Sequence, residues 1–232
     1  MTFQASPRAR QVRAALSQLR LGFDLDHASA EGFESLSDFQ DAFAKVFGES
    51  AITVAPGRVI HVAWVDTPLG PMVGASNGEA LILLEFTDRR RMEAQVETLK
   101  KRFNGGFVLA DDRIIRQTRR ELGEYFAAKR RDFSVPIAFP GTLFETRVWN
   151  QLVTIPYGET ISYEDLAVRI GSKGAVRAVG SANGRNRLTI LVPCHRVVNK
   201  SGGLGGYGGG LWRKRMLLDL EMRNRSWSGA ER

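Results

Sequence analysis

Residues 188–198, LTILVPCHRVV, contain the only cysteine of the 232-residue chain, Cys194. A short apolar run leads up to Pro193, which fixes its own φ and pushes Val192 towards an extended conformation. The thiol is therefore predicted to lie immediately after an abrupt change in chain direction, beside an apolar strand. A thiol in this setting is either an inert buried side chain, which is common, or a nucleophile.

The two residues after the cysteine favour the interpretation of the thiol as a nucleophile over that of an inert buried side chain. A thiol is a weak nucleophile until it is deprotonated, and helix N-termini, cations and histidines promote that deprotonation. His195 and Arg196 place a histidine and a cation next to Cys194. In an extended chain adjacent side chains point to opposite faces, so a contact between Cys194 and His195 requires a bridging water or a tight turn.

Length and composition exclude several classes of protein. With 43% hydrophobic and 25% charged residues, the chain can bury a core and is not a disordered tail. No apolar stretch approaches the roughly 20 residues that span a bilayer, and the first residues lack the plan of a signal peptide. A single cysteine permits neither an internal disulfide nor a multi-cysteine zinc cluster, and the histidines are widely separated. We therefore predict a cytosolic protein without a metal or cofactor.

Basic charge is concentrated in the last part of the chain. The net charge is +8, and residues 141–232 carry +7 whereas residues 1–50 carry −2. A basic surface attracts polyanions through Coulomb forces and counterion release, which favours nucleic acid as a partner. Acidic substrates or a membrane surface also fit this charge, so charge alone leaves the partner open.

The pattern of apolar residues divides the chain into units at residues 1–50, 51–140 and 141–232. The first is a small helical extension, with helical spacing over 7–20 and 35–47. The second is typical of an α/β unit. Its predicted strands are Val59–Val65, Met72–Ala75 and Ala80–Phe86, its predicted helices follow at about 89–103 and about 111–128, and a short predicted strand, Phe133–Ile137, ends the unit. The third is mostly helical, with helices over 143–154, 162–170, 174–183 and about 211–223.

Residues 162–183 fit a helix–turn–helix. Ser162 can cap the first helix together with Asp165, and Gly171 permits the turn. The second helix is built from small residues, which let its backbone approach a narrow partner: Ala175, Ala178, Gly180, Ser181 and Ala182. Close packing of one helix on another explains the same small residues, so both interpretations stay open.

The segment Val192–Val198, with the sequence VPCHRVV, resembles the signature of the O6-alkylguanine-DNA alkyltransferase family. The resemblance spans residues 59–225. It implies a ribonuclease H-like α/β N-terminal subdomain, followed by a mostly α C-terminal subdomain that contains the helix–turn–helix. It also implies irreversible, single-turnover transfer of the alkyl group from O6-alkylguanine, and from O4-alkylthymine, in DNA to Cys194.

The same resemblance implies catalytic roles for further residues. His195 is similar to the histidine that accepts the thiol proton through a water, and Glu221 to the carboxylate that orients this histidine. Asn186 matches the asparagine that braces the turn below the site. From the sequence itself, Glu221 lies on the apolar face of the last helix, where a carboxylate requires a partner. A solvated glutamate near a helix end is the other interpretation.

The resemblance also implies binding of double-stranded DNA through the second helix in the minor groove, where small residues fit. The implied DNA-binding residues are Arg177, Tyr163, Ala175, Ala178 and Ser181. Arg177 matches the finger that takes the place of an extruded nucleotide, and Tyr163 matches the tyrosine near the target base that helps to protonate the leaving guanine. A phosphate-binding Arg177 and a structural Tyr163 are the alternatives.

Residues 201–210, SGGLGGYGGG, include seven glycines. They predict either a flexible loop or a backbone that contacts a flat base closely. The resemblance implies that Tyr207 lines the guanine pocket, together with Val197 and Gly208. The family often has a serine or a larger residue where this chain has Gly208, so we expect no side-chain hydrogen bond to O6 from that position.

Residues 8–48 are similar to the second half of an AraC-type helix–turn–helix, through GFESLSDF at 32–39 and AFAKVFG at 42–48. The combination resembles the Ada-type adaptive-response proteins, which join a regulator to an alkyltransferase. This sequence has neither the zinc-bearing domain with its methyl-accepting cysteine nor the first AraC-type helix–turn–helix. With a net charge of −2 over residues 1–50, we expect a truncated remnant or a weak accessory.

Two functions of different classes follow from these observations. The first is direct-reversal DNA repair by a monomeric suicide transferase, cytoplasmic and associated with the nucleoid. The alternative is an Ada-like transcriptional regulator of the alkylation response with a minor repair role. A damage sensor that binds without transfer is disfavoured because such proteins replace the cysteine, and Cys194 is present.

Overall fold

The computed structural model describes residues 59–86, Thr98, 106–139 and 141–225. The predicted helical extension at 1–50, with its AraC-type resemblance, lies outside the described residues, and so does most of the predicted helix at about 89–103. The described chain forms an α/β part up to residue 139 and a mostly helical part from residue 141.

The α/β part is built on a four-stranded sheet with the order β3-β2-β1-β4. Its strands are β1 (Val59–Val65), β2 (Met72–Ser76), β3 (Leu81–Phe86) and β4 (Gly106–Leu109). β1 pairs antiparallel with β2, where Ala63 lies opposite Gly74, and parallel with β4, where Ile60 lies opposite Phe107. β2 and β3 are buried along their whole lengths, which explains their nearly continuous apolar sequences.

Two details of the strand prediction are wrong. The predicted strand Phe133–Ile137 is an isolated bridge, in which Ile137 pairs with Leu81. Pro136 has no N–H to donate, so a regular ladder cannot run through this segment. The sequence also does not predict β4, because four residues beginning at a glycine are too few to show a strand pattern.

Helix α1 (Arg113–Phe126) packs against β2. Its N-cap is Asp112, whose carboxylate accepts a hydrogen bond from the backbone N–H of Ile115 at 2.8 Å. The apolar and aromatic side chains on its buried face are Ile114, Ile115, Leu122 and Tyr125. Tyr125 lies near the end of this helix, and its hydroxyl reaches into the helical part.

The helical part begins with α2 (Leu143–Val153), and α3 (Tyr163–Arg169) and α4 (Val176–Gly184) follow as a consecutive pair. The predicted cap of α3 is confirmed, because Ser162 and Asp165 form a reciprocal capping box. The last helix, α5 (Leu211–Arg223), has the predicted bounds. None of the helices in the described ranges is both long and apolar enough to cross a membrane.

The segment before the cysteine is hydrogen-bonded to the edge of the sheet. The backbone N–H of Leu84 in β3 donates to the carbonyl of Arg187 at 2.7 Å, and the N–H of Thr189 donates to the carbonyl of Leu84 at 2.9 Å. Ile190 then adopts a φ of +77°, a conformation that is strained for a β-branched residue. The α/β part thus fixes the turn that leads to Pro193.

Candidate active site

Cys194 begins a single 3₁₀ turn, Cys194–Arg196, that is followed by the short strand β6 (Val197–Val198). β6 pairs with β5 (Ile161–Ser162) in a parallel two-stranded sheet. The extended conformation considered for Cys194 and His195 is therefore wrong, because the chain takes the tight turn instead. The Cys194 side chain is 5% exposed, which places the thiol at the edge of the core.

Asn186 lies directly beside the thiol. Its Nδ2 donates to Cys194 Sγ at 3.1 Å and to the carbonyl of Val192 at 2.8 Å. Its Oδ1 accepts from the backbone N–H of Leu188 at 2.9 Å. One buried amide thus ties together the start and the end of the segment that carries the cysteine.

Glu221 is fully buried and receives hydrogen bonds on both carboxylate oxygens. Oε1 accepts from His195 Nε2 at 3.0 Å, from Arg196 Nη2 at 2.9 Å and from the Tyr125 hydroxyl at 2.8 Å. Oε2 accepts from Arg196 Nε at 2.9 Å and from the backbone N–H of Gly158 at 3.1 Å. A carboxylate on the apolar face of α5 therefore has the partners that its burial requires.

The ionisation of Glu221 fixes the tautomer of His195. Burial by itself would raise the pKa of Glu221, but His195 and Arg196 outweigh it and hold the pKa well below its ordinary value. An ionised carboxylate only accepts, so His195 Nε2 carries the proton and Nδ1 is left with a lone pair. Burial lowers the pKa of His195 despite the neighbouring carboxylate, so the ring is neutral at pH 7. Nδ1 has no hydrogen-bond partner among the described residues and is free to accept a proton.

The guanidinium of Arg196 does not supply the cation that the sequence places beside the thiol. It forms two hydrogen bonds to Glu221 and donates through Nη1 to the carbonyl of Ile155, and it lies over the ring of Tyr157 at 5.7 Å. The reason is geometric: within a 3₁₀ turn, residues two positions apart point in different directions. Arg196 therefore acts on Glu221 rather than on Cys194.

Lys214 is a site residue that the sequence analysis missed. Its side chain is fully buried, and Nζ donates to the carbonyls of Val197 and, at 3.3 Å, Gly206. Burial lowers the pKa of Lys214 to about 8, and the charge of the nearby Cys194 thiolate opposes this shift. The ammonium is therefore still charged at pH 7 and supplies the cation near the sulfur. The available signal was its position one helical turn before buried Leu217 on α5.

A pocket of about 600 Å³ opens between the α3–α4 pair and the glycine-rich loop. Its lining residues are Tyr163, Glu164, Val176, Arg177, Gly180, Asn199, Lys200, Ser201 and Gly206. Burial, and then the negative charge of Cys194, raise the pKa of Tyr163, so its hydroxyl stays protonated near the sulfur. Tyr163 thus lines the pocket and is also close enough to Cys194 to respond to its charge, whereas Cys194 itself is not one of the lining residues.

The structure brings only some of the predicted contact residues to this pocket. Tyr163 and Arg177 line it, whereas Val197, Tyr207 and Gly208 do not. Val197 is buried in β6, Tyr207 is half-buried against the core, and Gly208 is exposed. On α4, the residues with exposed side chains are Arg177, Ala178 and Ser181, while Ala175 at its N-cap is half-buried.

Gly205 is the glycine whose replacement should disturb this site most. It has a φ of +68°, and a Cβ there would lie 2.8 Å from Cε2 of Tyr163 and 3.0 Å from Oδ1 of Asn199. We expect Gly205→Ala to displace Tyr163 and to slow the alkyl transfer that the resemblance of residues 192–198 implies, by up to roughly 100-fold, as misplacements of about 1 Å do. Single-turnover kinetics measure this rate.

The matched control for Gly205→Ala is Gly203→Ala in the same loop. Gly203 has no positive φ, and its Cβ would meet its nearest neighbour, Asn199 Nδ2, at an ordinary 3.5 Å. We expect this control to transfer at the wild-type rate. Equal rates for both variants would show that the Gly205–Tyr163 contact does not position the tyrosine.

Two family models match the chain over most of its described length. Residues 60–139 match the ribonuclease-like domain of 6-O-methylguanine DNA methyltransferase, and residues 143–223 match its DNA binding domain. A methylated-DNA–protein-cysteine methyltransferase of Mycobacterium leprae is 44% identical over 163 residues, which are 70% of this chain and 93% of the relative.

Solved structures give the same result. The O6-methylguanine methyltransferase of Mycobacterium tuberculosis has a TM-score of 0.63 and 40% identity, covering 73% of this chain and 96% of that one. The OGT of the same organism, solved in complex with DNA, has a TM-score of 0.61 and 40% identity, covering 72% and 94% of the two chains.

The fold and the site together define a transferase whose acceptor is a cysteine thiol. The chain belongs to the methylated-DNA–protein-cysteine methyltransferase family. It is therefore a methyltransferase of DNA repair, and the resemblance carried by residues 192–198 is confirmed at the level of the family. In the described part of the chain, no group of three or more His, Cys, Asp or Glu side chains is arranged to hold a metal ion.

Proposed function

We propose that this chain repairs O6-alkylguanine, and O4-alkylthymine, in double-stranded DNA by moving the alkyl group onto Sγ of Cys194 once per molecule. The observation that carries this proposal is the array around the sulfur. Asn186 holds Sγ at 3.1 Å, and His195, oriented by Glu221, keeps a free Nδ1 lone pair in the same buried turn. A thiol, a neutral base and an orienting carboxylate are the parts that nucleophilic catalysis by cysteine requires.

The transfer proceeds by displacement at the alkyl carbon. The Cys194 proton passes through a water to His195 Nδ1, and Glu221 stabilises the imidazolium that forms. The thiolate attacks the alkyl carbon, a carbon–sulfur bond forms, and the carbon–oxygen bond breaks with its electron pair moving to guanine. Protonated Tyr163 donates a proton to the leaving base. The product is a thioether, which no group in the site can hydrolyse, so each molecule acts once.

Access to the damaged base requires it to leave the duplex, because its reacting atom is stacked and paired inside the helix. In our proposal α4 enters the minor groove, where the small exposed residues Ala178 and Ser181 and half-buried Ala175 permit a close approach. Arg177 fills the gap left by the extruded nucleotide. The base itself enters the pocket beside Tyr163. Tyr207 and Gly208 of the glycine-rich loop contribute to its binding, and Val197 in the neighbouring strand β6 contributes to the wall.

We further propose that residues 51–140 and 141–232 act together as one monomeric repair unit. The hydrogen bonds of Leu84 to Arg187 and Thr189 support this joint action, because they join the α/β part to the cysteine-bearing segment. The basic balance of the last stretch, with a net charge of +7 over residues 141–232, supports binding to a phosphate backbone.

Mass spectrometry tests the proposed function directly. The full chain is incubated with a duplex oligonucleotide that contains one O6-methylguanine, and its peptides are analysed. We expect one methyl group per molecule, on the peptide that carries Cys194, and no further increase with excess substrate. Methyl release over several turnovers would contradict the proposal. Tight binding to a defined promoter duplex without an adduct would favour the regulator instead.

Arg177→Ala should slow transfer from duplex DNA by roughly tenfold, since extruding a paired base costs a few kcal/mol and this variant loses the side chain that offsets part of it. We expect the affinity for duplex DNA to fall by less than about threefold, because in our proposal Arg177 acts in extrusion and its loss removes only one positive charge from the basic surface. Stopped-flow fluorescence of a 2-aminopurine next to the lesion measures extrusion, and a filter-binding assay measures affinity.

The control for this variant is Arg147→Ala, which removes the same charge from an exposed position on α2. We expect it to extrude and repair the base at the wild-type rate. A single-stranded substrate provides a second control, since its target base is already unpaired and should be repaired equally by Arg177→Ala and wild type. If Arg177→Ala repaired duplex DNA at the wild-type rate, this result would contradict the proposed role of Arg177 in extruding the damaged nucleotide.

A further inference from the structure

Tyr125 connects the α/β part to the catalytic carboxylate. It belongs to α1, 96 residues before Glu221, and its hydroxyl donates to Glu221 Oε1 at 2.8 Å. Both side chains are fully buried. Within the described residues, the other four hydrogen bonds to this carboxylate all come from the helical part, namely from His195, Arg196 and Gly158.

We propose that Tyr125 is a positioning residue for alkyl transfer: its hydroxyl, supplied by the α/β part, holds the Glu221 carboxylate in the orientation that directs His195 Nδ1 towards Cys194. This inference rests on the proposed function and deepens it. It gives the α/β part, which contributes no group to the pocket, a positioning role in alkyl transfer that acts through Glu221 and His195.

The surroundings of Tyr125 hold its hydroxyl in place. Its ring lies 5.3 Å from that of Phe126, 5.4 Å from that of Phe133 and 5.9 Å from that of Tyr157, so rotation of the ring away from Glu221 would break three aromatic contacts. Burial, and then the Glu221 charge, raise the pKa of Tyr125 well above its ordinary value. The phenol is therefore always a donor in the working range of pH.

The hydrogen bond also affects how basic His195 is. Tyr125 and His195 donate to the same oxygen, Oε1, so they share its negative charge. When the tyrosine bond is removed, more of that charge faces the imidazole ring. The ring should then bind its proton more tightly, because an opposite charge nearby favours the protonated form.

Other charged groups face the same pair and stay unchanged in a Tyr125 variant. His195 is faced by Glu221 and Lys214 from α5 and by Arg196 from its own turn, and Lys214 is in turn influenced by Cys194. Glu221 is also faced by Tyr157, from the turn after α2, and Arg131 lies over the Tyr157 ring at 5.6 Å. Because these groups are the same in the wild type and in Tyr125→Phe, a difference between their pH profiles reports the loss of the Tyr125 hydroxyl.

The experiment compares single-turnover rates of methyl transfer between pH 5 and pH 9 for the full-length wild type, Tyr125→Phe and Tyr157→Phe. We expect the acid limb of the Tyr125→Phe profile, which reports loss of the His195 proton, to shift to higher pH by roughly half a unit or more. The plateau rate should fall by roughly tenfold through poorer orientation of the ring.

Tyr157→Phe is the matched control, because it deletes a buried hydroxyl of the same aromatic cluster that has no hydrogen-bond partner among the described residues. We expect its pH profile to superimpose on that of the wild type. A Tyr125→Phe profile that also superimposes on wild type would overturn the inference while leaving the proposed function intact. A wild type that acquires no methyl group would instead overturn the proposed function.

A second variant keeps the test decisive if Tyr125→Phe does not fold. Replacing Tyr125 with 3-fluorotyrosine preserves the ring and makes the phenol a stronger donor, so it should draw more charge from Oε1. We expect the acid limb to move to lower pH, opposite to the phenylalanine variant. An unchanged or upward shift with fluorotyrosine would contradict the inference.

Discussion

The Cys194→Ser variant should acquire no methyl group at any time of incubation, while its affinity for duplex DNA stays at the wild-type value. Serine is nearly isosteric, and its oxygen can accept the hydrogen bond that Asn186 Nδ2 gives to the sulfur at 3.1 Å. The turn is therefore kept. Chemistry is lost because a hydroxyl is far harder to deprotonate than a thiol, and His195 is too weak a base to do it.

The readouts for Cys194→Ser are mass spectrometry of the whole protein and a binding titration with lesion-containing duplex. The comparison is wild type in the same titration, with thermal unfolding of both proteins to show that the variant is folded. A methyl group on the serine variant would reveal a second acceptor and contradict the assignment of Cys194. A large loss of DNA affinity would show that the sulfur contributes to binding as well as to transfer.

Glu221→Gln should produce the largest loss of stability. The amide keeps the shape of the side chain but removes the counter-charge of Arg196, which is 5% exposed and bonded to both carboxylate oxygens. Removing one partner of a buried ion pair costs about 3–5 kcal/mol, since the other charge is left uncompensated. Chemical denaturation at pH 7 measures this change in the free energy of unfolding.

The activity of Glu221→Gln should also fall, by roughly 10²–10⁴-fold, the range that a positioned acid–base group contributes. A neutral amide cannot stabilise the imidazolium form of His195. It can also turn its NH₂ group towards His195 Nε2, which favours the other tautomer and places the ring proton on Nδ1. The base that receives the thiol proton is then lost.

The pH dependence of stability gives an independent check. The pKa of Glu221 is lower in the folded chain than its ordinary value of 4.5, so the folded state favours the ionised form. The resulting stability is fully present above pH 4.5 and is lost as the pH falls below that value towards the folded pKa. We therefore expect the stability gap between wild type and Glu221→Gln to be constant near neutral pH and to narrow in acid.

The control for Glu221→Gln is Glu124→Gln. Glu124 pairs with Arg130 at 2.6 Å, but its side chain is 35% exposed, and surface pairs contribute only about 0–1 kcal/mol. We expect little change in the unfolding free energy and none in transfer. Equal destabilisation by the two variants would contradict the assignment of Glu221 as the buried centre of the array.

Local sequence was enough for several elements of the fold. The caps of α3 at Ser162 and Asp165, and the bounds of α5, follow from residues within one or two helical turns of each other. The prediction of a strand at Phe133–Ile137 was wrong for an equally local reason, because Pro136 has no N–H to donate to a strand ladder. The helical extension at 1–50 stays a prediction, as it lies outside the described residues.

The sequence by itself indicated the family and predicted Cys194 as the nucleophile, because one short motif carries both signals. The pairing of His195 with Glu221 was implied only by the resemblance to the family, and the structure contains that hydrogen bond at 3.0 Å. Only the tertiary structure decided that Arg196 turns to Glu221, that Lys214 supplies the cation near the sulfur and that Tyr125 reaches the carboxylate. These contacts join segments up to 96 residues apart. These partners are set by how the helices pack against the sheet, and such packing produces no periodic pattern in the sequence from which the contacts could be predicted.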